Sequence, residues 1–196
     1  MNKKARQKFL LKMNSIDIQC LLELATRIEN IESDKTNKAY PYLIKCAQRE
    51  AEHRDLEAII GLAHMVYGWM PTMVECDWEK YNENIWDKII EGDITEAFLS
   101  TIKAITNNSI VGASKLLHFC NPEKYAIWDS RVYKRITNET PYDSRVNDIE
   151  KYSIYMEHLR SIQENAVELK NYLIENKGID LSASTMRCIE MVLFYS

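Results

Sequence analysis

Apolar residues along this chain recur at helical spacing. Between residues 15 and 31 the apolar positions include Ile18, Leu21, Leu22 and Ala25, which would share one face of an amphipathic helix. No stretch shows the two-residue alternation of a half-buried strand. We therefore expect an all-α protein. The same period predicts a basic helix at the N-terminus and further helices over 41–53, 55–67, 78–91, 94–106, 110–120, from 129 onward, over 146–176 and from 182 onward.

Capping residues mark several of these predicted helix ends. Asp55 is a candidate N-cap, Gly92 is a candidate C-terminal glycine, and Gly68 and Pro71 interrupt the pattern in the turn GWMPT. The long apolar stripe over 149–173 fits either a core-facing helix or a coiled-coil partner surface. Because the stripe is short of sustained heptads, the pattern favours core packing.

Composition narrows the class of protein. The 196 residues are 46% hydrophobic and 28% charged, which is typical of a single globular domain over 1–196. Only 5 glycines and 4 prolines are present, which disfavours a loop-rich β-sandwich and a glycine-rich nucleotide-binding fold. No apolar run is long enough to predict a membrane span, and the N-terminal residues lack the pattern of a secretory signal.

The cysteines and histidines are scattered along the chain. The 5 cysteines form no Cys-x-x-Cys pair, and the 4 histidines do not cluster. This spacing disfavours a disulfide framework, a zinc ribbon and an iron–sulfur cluster. We therefore expect a reduced, cytoplasmic protein that uses no metal and no cofactor.

The stretch 94–137 has the most informative pattern. A helix and a short polar turn precede a second helix that begins near Gly112, and Asp129 opens a later helix after an Asn-Pro loop. A glycine at a helix start permits close approach of either a neighbouring helix or an anion drawn to the amides. Asp129 is a candidate N-cap, and a capping aspartate can also face a cleft. Tyr125 and Trp128 fit core packing better than stacking on a base.

Two short segments of this stretch resemble motifs of the helix-hairpin-helix DNA glycosylase superfamily, particularly of members with the 8-oxoguanine-DNA-glycosylase-like fold. The residues SIVG at 109–112 resemble the hairpin that grips a DNA phosphate through backbone amides, and IWDSRV at 127–132 resembles the motif of the catalytic aspartate. The resemblance implies a two-lobed helical body with a helix-hairpin-helix element at about 94–137. It also implies that Asp129 is the catalytic carboxylate.

The chain departs from the family pattern at three places. Ser109 or Ile110 replaces the first hairpin glycine, and Arg131 occupies the position of the family's histidine. The Schiff-base lysine of bifunctional members corresponds to Ser114, whereas Lys115 lies one residue, or about 100°, further around the helix. That rotation would normally turn the amine away from the cleft. Monofunctional hydrolysis, an amine nucleophile supplied by Lys115 in a shifted register, and loss of catalysis all remain open.

Charge is unevenly distributed in this acidic chain. The net charge is −4, but residues 1–12 carry five basic residues and no acidic one. Residues 101–137 carry six basic residues against two acidic ones. Two basic segments are expected of a phosphate-binding face, and they also occur on solvated helix surfaces. Arg131 is expected either to contact a phosphate or to pair with Asp129.

Two smaller features complete the pattern. Trp69 and Met70 follow a helix, where they either stack on a base or pack against the core. Arg187 and Glu190 are three residues apart on the last predicted helix, which predicts a local ion pair. We assign this pair no catalytic role from the sequence.

The sequence therefore predicts a DNA glycosylase-like enzyme. It would flip a modified or damaged base out of double-stranded DNA and excise it by aspartate-assisted cleavage of the N-glycosidic bond. The alternatives are a non-catalytic nucleic-acid-binding module of the same fold and a helical interaction protein in which the aspartate only caps a helix. The catalytic candidates are Asp129 and Lys115, and the candidates for nucleic-acid contact are Ser109, Gly112, Ser114, Lys124, Arg131 and Lys134.

Overall fold

The computed structural model describes residues 1–69, 73–75 and 77–196, and over these residues it is all-helical, as predicted. Besides a short 3₁₀ turn at Trp78–Lys80, the helices are α1 (Lys3–Asn14), α2 (Ile18–Arg27), α3 (Lys35–Ala51), α4 (Leu56–Trp69), α5 (Ile85–Glu91), α6 (Glu96–Ile105), α7 (Ile110–Cys120), α8 (Ser130–Thr137), α9 (Asp143–Val146), α10 (Ile149–Gln163), α11 (Val167–Lys177) and α12 (Thr185–Tyr195).

Several predicted helix ends are confirmed by their caps. The side chain of Asp55 accepts the backbone N–H of Ala58 at 2.8 Å, which satisfies one of the free amides at the start of α4. Gly92 ends α5 in the left-handed conformation with φ 83°, where a side chain would be strained. Asp129 caps α8 in the same way as Asp55 caps α4.

Other boundaries differ from the prediction. The helix predicted over 146–176 is divided into α10 and α11, because the chain turns after Gln163, and α10 begins only after its cap, Asp148. The last helix is capped by Ser184, whose hydroxyl accepts the N–H of Arg187, and not by Ser182. A local hydroxyl or carboxylate decides each start, and the apolar period alone does not show which one is used.

The third helix begins earlier than predicted. Asp34 caps α3 by accepting the N–H of Asn37 at 2.8 Å, so Pro41 lies inside the helix and not in its first turn. A proline inside a helix lacks the donor for one hydrogen bond of the helix. Tyr40 and Ala47 are buried on this helix, and tertiary packing therefore favours the helical conformation despite the proline.

Two helices organise the packing of the described residues. The C-terminal helix α12 packs against α2, α8, α10 and α11, and α7 packs against α3, α4 and α6. The segment 125–128, between α7 and α8, is buried, and its Trp128 ring lies 5.1 Å from the Tyr155 ring. This burial agrees with the core role predicted for Tyr125 and Trp128. Within the described residues, no helix is long and apolar enough to cross a membrane.

Candidate active site

A cavity of about 330 Å³ lies where the end of α4, the middle of α7, the start of α8 and one side of α12 approach each other. Its volume is at the lower end of the range common for small-molecule sites. Three aromatic side chains form part of the wall: Trp69 at the end of α4, and Phe194 and Tyr195 at the end of α12. The charged residues that line the cavity are Lys115, Asp129, Arg131, Arg187 and Glu190.

Asp129 has two roles in this geometry. Its Oδ1 atom accepts the backbone N–H groups of Arg131 at 2.9 Å and Val132 at 3.0 Å, which makes it the N-cap of α8. The same carboxylate lines the cavity and is only partly exposed. The sequence left capping and facing a cleft as two compatible roles for this aspartate. In the structure the same side chain caps α8 and lines the cavity.

Hydrogen bonds to the preceding segment fix the position of Asp129. The Ser114 hydroxyl on α7 accepts the N–H of Trp128 at 3.0 Å and lies 3.1 Å from the Trp128 carbonyl oxygen. The Tyr155 hydroxyl donates to the carbonyl of Ile127 at 3.2 Å, and the Trp128 indole N–H donates to the carbonyl of Val146 at 2.8 Å. Because these partners are buried, the chain enters the cavity wall in one conformation.

Lys115 lies in the cavity, contrary to the rotation expected from the sequence. Its neighbour Ser114 points to the Trp128 backbone, and the one-residue offset places the Lys115 side chain on the cavity side of α7. The ammonium nitrogen is 5.8 Å from the centre of the Trp69 ring. Burial lowers the pKa of Lys115, and the negative charges of Asp129 and Glu190 only partly oppose that shift.

Gly112 is a packing position in this structure. A Cβ atom placed there would lie 2.2 Å from Tyr67 Oη and 3.1 Å from Thr106 Cβ, so α4 and α7 meet where a side chain is missing. The Gly112 N–H donates to the Ser109 hydroxyl at 3.3 Å. These contacts are those of the helix-contact alternative, while contact of Ser109 and Gly112 with a phosphate stays a prediction.

The turn before α7 contains two asparagines in the left-handed conformation. Asn107 and Asn108 have φ of 55° and 51°, in the left-handed region that asparagine tolerates better than other residues with a side chain. The Asn107 amide donates to the carbonyl of Met73 at 2.8 Å, which joins this turn to the segment after α4. The short polar turn predicted before this helix is therefore confirmed, and the Asn107-Asn108 pair gives it its left-handed backbone.

The other residues predicted to contact phosphate lie in two separate places on the protein. Arg131 is exposed, and its guanidinium lies 4.7 Å from the centre of the Phe194 ring. Among the described residues, no ion pair joins Arg131 to Asp129, so the predicted pairing is not formed. Lys134 is exposed one turn further along α8. Lys124 lies in a separate depression beside Arg160, away from the cavity.

The basic N-terminal helix is largely neutralised by acidic side chains of the body. Lys8 and Lys12 approach Glu139 Oε1 at 2.8 Å and 3.1 Å, and Arg6 pairs with Glu150 at 3.1 Å. Hydrogen bonds from Lys8 and Lys12 lower the pKa of Glu139 to about 2, against the opposing effect of burial. Much of the charge predicted for a phosphate-binding face is thus used within the protein.

The Glu139 cluster makes stability depend on pH. Because the folded-state pKa of Glu139 is depressed, its contribution is complete above the unfolded value of 4.5 and is lost as the pH falls towards 2. We expect Glu139→Gln to lower the free energy of unfolding by about 1 kcal/mol at pH 7, and this deficit should shrink below pH 4.5. Urea denaturation at several pH values, with the exposed-site variant Glu157→Gln as control, checks this. A deficit of constant size from pH 7 to 3 would contradict it.

Sequence reasoning missed two contributors to the cavity. Arg187 and Glu190, predicted to form a local ion pair with no catalytic role, are 6% and 1% exposed and line the cavity wall. The missed signal was α12 itself, which is apolar around most of its circumference between 186 and 193. Charged residues on such a helix are buried with it. Trp69, the last residue of α4, also lines the cavity, whereas Met70 lies outside the described residues.

In the described part of the chain, the side chains that could bind a metal ion or form a disulfide are not grouped together. No cluster of three His, Cys, Asp or Glu side chains suited to a metal ion occurs there, and Cys20, Cys46, Cys120 and Cys188 are free thiols. Comparisons of the chain with protein-family models, curated proteins and solved structures found no match.

Proposed function

We propose that this protein is a DNA glycosylase-like enzyme that receives a flipped, modified base in the cavity and cleaves its N-glycosidic bond. The observation that carries the proposal is that one cavity brings together Asp129 and the half-buried amine of Lys115. In this proposal the body has two lobes around that cavity, and α6, the asparagine turn and α7 form the helix-hairpin-helix element. Double-stranded DNA is the proposed partner.

Asp129 supplies a fixed negative charge. As the bond between C1′ and the base breaks, positive charge develops on the sugar, and a carboxylate already held in place stabilises it without reorganisation. Two backbone N–H groups hold Oδ1 at the start of α8, so the carboxylate does not have to be ordered when DNA binds. This fixed orientation supports an electrostatic role.

Lys115 supplies the nucleophile in this proposal. Only a neutral amine attacks carbon, and the lowered pKa of Lys115 increases the neutral fraction. The amine forms a bond to C1′ while the base departs with the electron pair of the glycosidic bond. The proton released by the new ammonium passes to Asp129, and ring opening then gives an imine between Lys115 and the sugar.

Cations near the cavity mouth would hold the DNA backbone. Arg131 and Lys134 are exposed on the same side of α8, whose first residue follows Asp129 directly. Because Arg6, Lys8 and Lys12 are paired with Glu139 and Glu150, this basic face is small. Binding through so few phosphate contacts should be weak and should fall with increasing salt.

The test is release of a free base from DNA. We expect the protein, mixed at low salt with duplexes that each carry one modified base, to release at least one of these bases, detected by mass spectrometry. A duplex with only ordinary bases is the control. If the folded protein binds the duplexes but releases no base, the non-catalytic module replaces this proposal. If it neither binds nor releases, the helical interaction protein replaces it.

A further inference from the structure

Arg187 and Glu190 form an ion pair that is buried in the wall of the cavity. They lie one turn apart on α12, and Arg187 Nη1 contacts Glu190 Oε2. Glu190 is 1% exposed, although its side chain borders the same space as Asp129 and Lys115. Burying two charges is costly and commonly adds little stability, so a buried pair that borders a cavity is a candidate for a functional role.

Arg187 is held by a series of aromatic and polar contacts that connects it to Tyr40, His118 and the backbone of Tyr125. The Arg187 guanidinium lies 4.5 Å from the centre of the Tyr40 ring, and the Tyr40 hydroxyl is 2.6 Å from His118 Nε2. His118 Nδ1 donates to the carbonyl of Tyr125 at 2.7 Å, since a carbonyl can only accept. Burial and the charge of Arg187 lower the pKa of His118 to about 3. The neutral His118 ring therefore accepts a hydrogen bond from the Tyr40 hydroxyl at Nε2, and these contacts together fix Arg187.

Two side chains that line the cavity carry unused hydrogen-bond donors. Among the described residues, Arg187 Nε and Trp69 Nε1 are buried and have no hydrogen-bond partner, and both side chains line the cavity. An unsatisfied buried donor is destabilising, and an acceptor atom on a bound ligand would satisfy it. Ring nitrogens and carbonyl oxygens at the edge of a base are such acceptors. A base edge bound against the Arg187 side chain would lie beside the carboxyl group that the same guanidinium contacts.

The two carboxyl groups of the cavity have different environments. Asp129 accepts two backbone N–H groups at a helix start, whereas Glu190 lies inside the protein. Burial raises the pKa of Glu190 to about 7; the positive charge of Arg187 opposes this shift, and the negative charge of Asp129 adds to it. The titratable or charged groups that interact with Glu190 are Arg187, Cys188 and Tyr195 on α12, Asp129 before α8, Lys115 on α7, Tyr40 on α3 and Tyr155 on α10.

We propose that Glu190 is the proton donor to the departing base, a role that rests on the proposed function and that adds a second catalytic carboxyl to the cavity. The bond from C1′ to the base nitrogen breaks, and its electron pair goes to the base. The proton of Glu190 moves to a ring nitrogen or carbonyl oxygen of the base, so the base leaves as a neutral molecule. The resulting Glu190 carboxylate faces Arg187, which stabilises its charge, and it regains a proton from solvent after the base has left.

The test compares pH profiles of base release under single-turnover conditions, using the duplex that wild-type protein processes. With Glu190 as acid, the wild-type rate constant should fall as the pH rises through about 7, because the acid becomes ionised. Glu190→Gln keeps an oxygen that accepts from Arg187 but carries no transferable proton. It should release base about 10²–10⁴-fold more slowly and should lose the fall in rate above pH 7. Glu190→Asp carries a transferable proton, so its rate constant should again decrease in part as the pH rises above 7.

Controls separate this role from a structural one. Glu168→Gln, an exposed substitution on α11, should leave the rate and the pH profile unchanged. A Glu190→Gln protein that is slower at every pH but keeps the wild-type profile would overturn the donor role and leave the proposed function standing. Full activity of Glu190→Gln would overturn the donor role as well. If wild-type protein releases no base from any duplex, the proposed function fails and the donor role fails with it.

Discussion

Asp129→Asn should reduce the rate of base release by about 10²–10³-fold while the protein remains folded. Asparagine caps helices about as well as aspartate, so the hydrogen bonds to Arg131 and Val132 can be kept. The substitution removes the negative charge that the developing sugar cation requires. Single-turnover release from the active duplex, together with urea denaturation, measures the two effects separately.

Two further substitutions make this result specific. Asp129→Ala removes both the charge and the cap, and it should add a stability loss of about 1 kcal/mol to the same loss of activity. Asp17 caps α2 through an equivalent bond to the Cys20 N–H at 2.8 Å but does not line the cavity. Asp17→Asn should therefore leave release unchanged. Full activity in Asp129→Asn would reduce the role of Asp129 to that of a helix cap.

Gly112→Ala should be the most destabilising single-methyl substitution among the helical glycines. The new Cβ would lie 2.2 Å from the hydroxyl of Tyr67, which is 3% exposed, and 3.1 Å from Thr106 Cβ. Forcing extra volume into a packed interface costs about 1–3 kcal/mol. Urea denaturation should show a loss in this range for Gly112→Ala.

The matched control lies on the neighbouring helix. At Gly61 of α4 the closest atom to an added Cβ is 3.7 Å away, an ordinary contact distance. Gly61→Ala should therefore stabilise the protein by up to about 1 kcal/mol, since alanine favours the helix. Combining Gly112→Ala with Tyr67→Phe removes the closest atom and should recover part of the loss. Equal stabilities of Gly112→Ala and wild-type protein would contradict the tight contact between α4 and α7.

The fold class could be predicted because each helix has a regular apolar period and a local cap. Asp55 and Gly92 act through neighbouring backbone atoms, so their effects can be recognised in a few residues of sequence. The division of 146–176 into α10 and α11 was not predictable from periodicity, because apolar residues recur on both sides of the break. Its ends depend on caps such as Asp148, which competes with many equivalent polar residues.

The site was predictable only where its chemistry is local. Asp129 precedes a helix and is recognisable as an N-cap, whereas the direction of Lys115 depends on how α7 rotates to bury Ser114 against Trp128. The positions of Arg187 and Glu190 depend on α12 lying at the centre of four other helices. Contacts between residues distant in sequence decide these positions, and the pattern of a single helix does not contain them.

Borohydride trapping tests most directly whether Lys115 and Asp129 act together in one active site. Sodium borohydride reduces the imine between an amine and an opened sugar to a stable bond, and mass spectrometry of the digested complex identifies the attached residue. With the active duplex we expect a covalent complex at Lys115, lost in Lys115→Arg and strongly reduced in Asp129→Asn. Base release without any covalent complex, or a complex attached to another residue, would show that Lys115 is not the nucleophile.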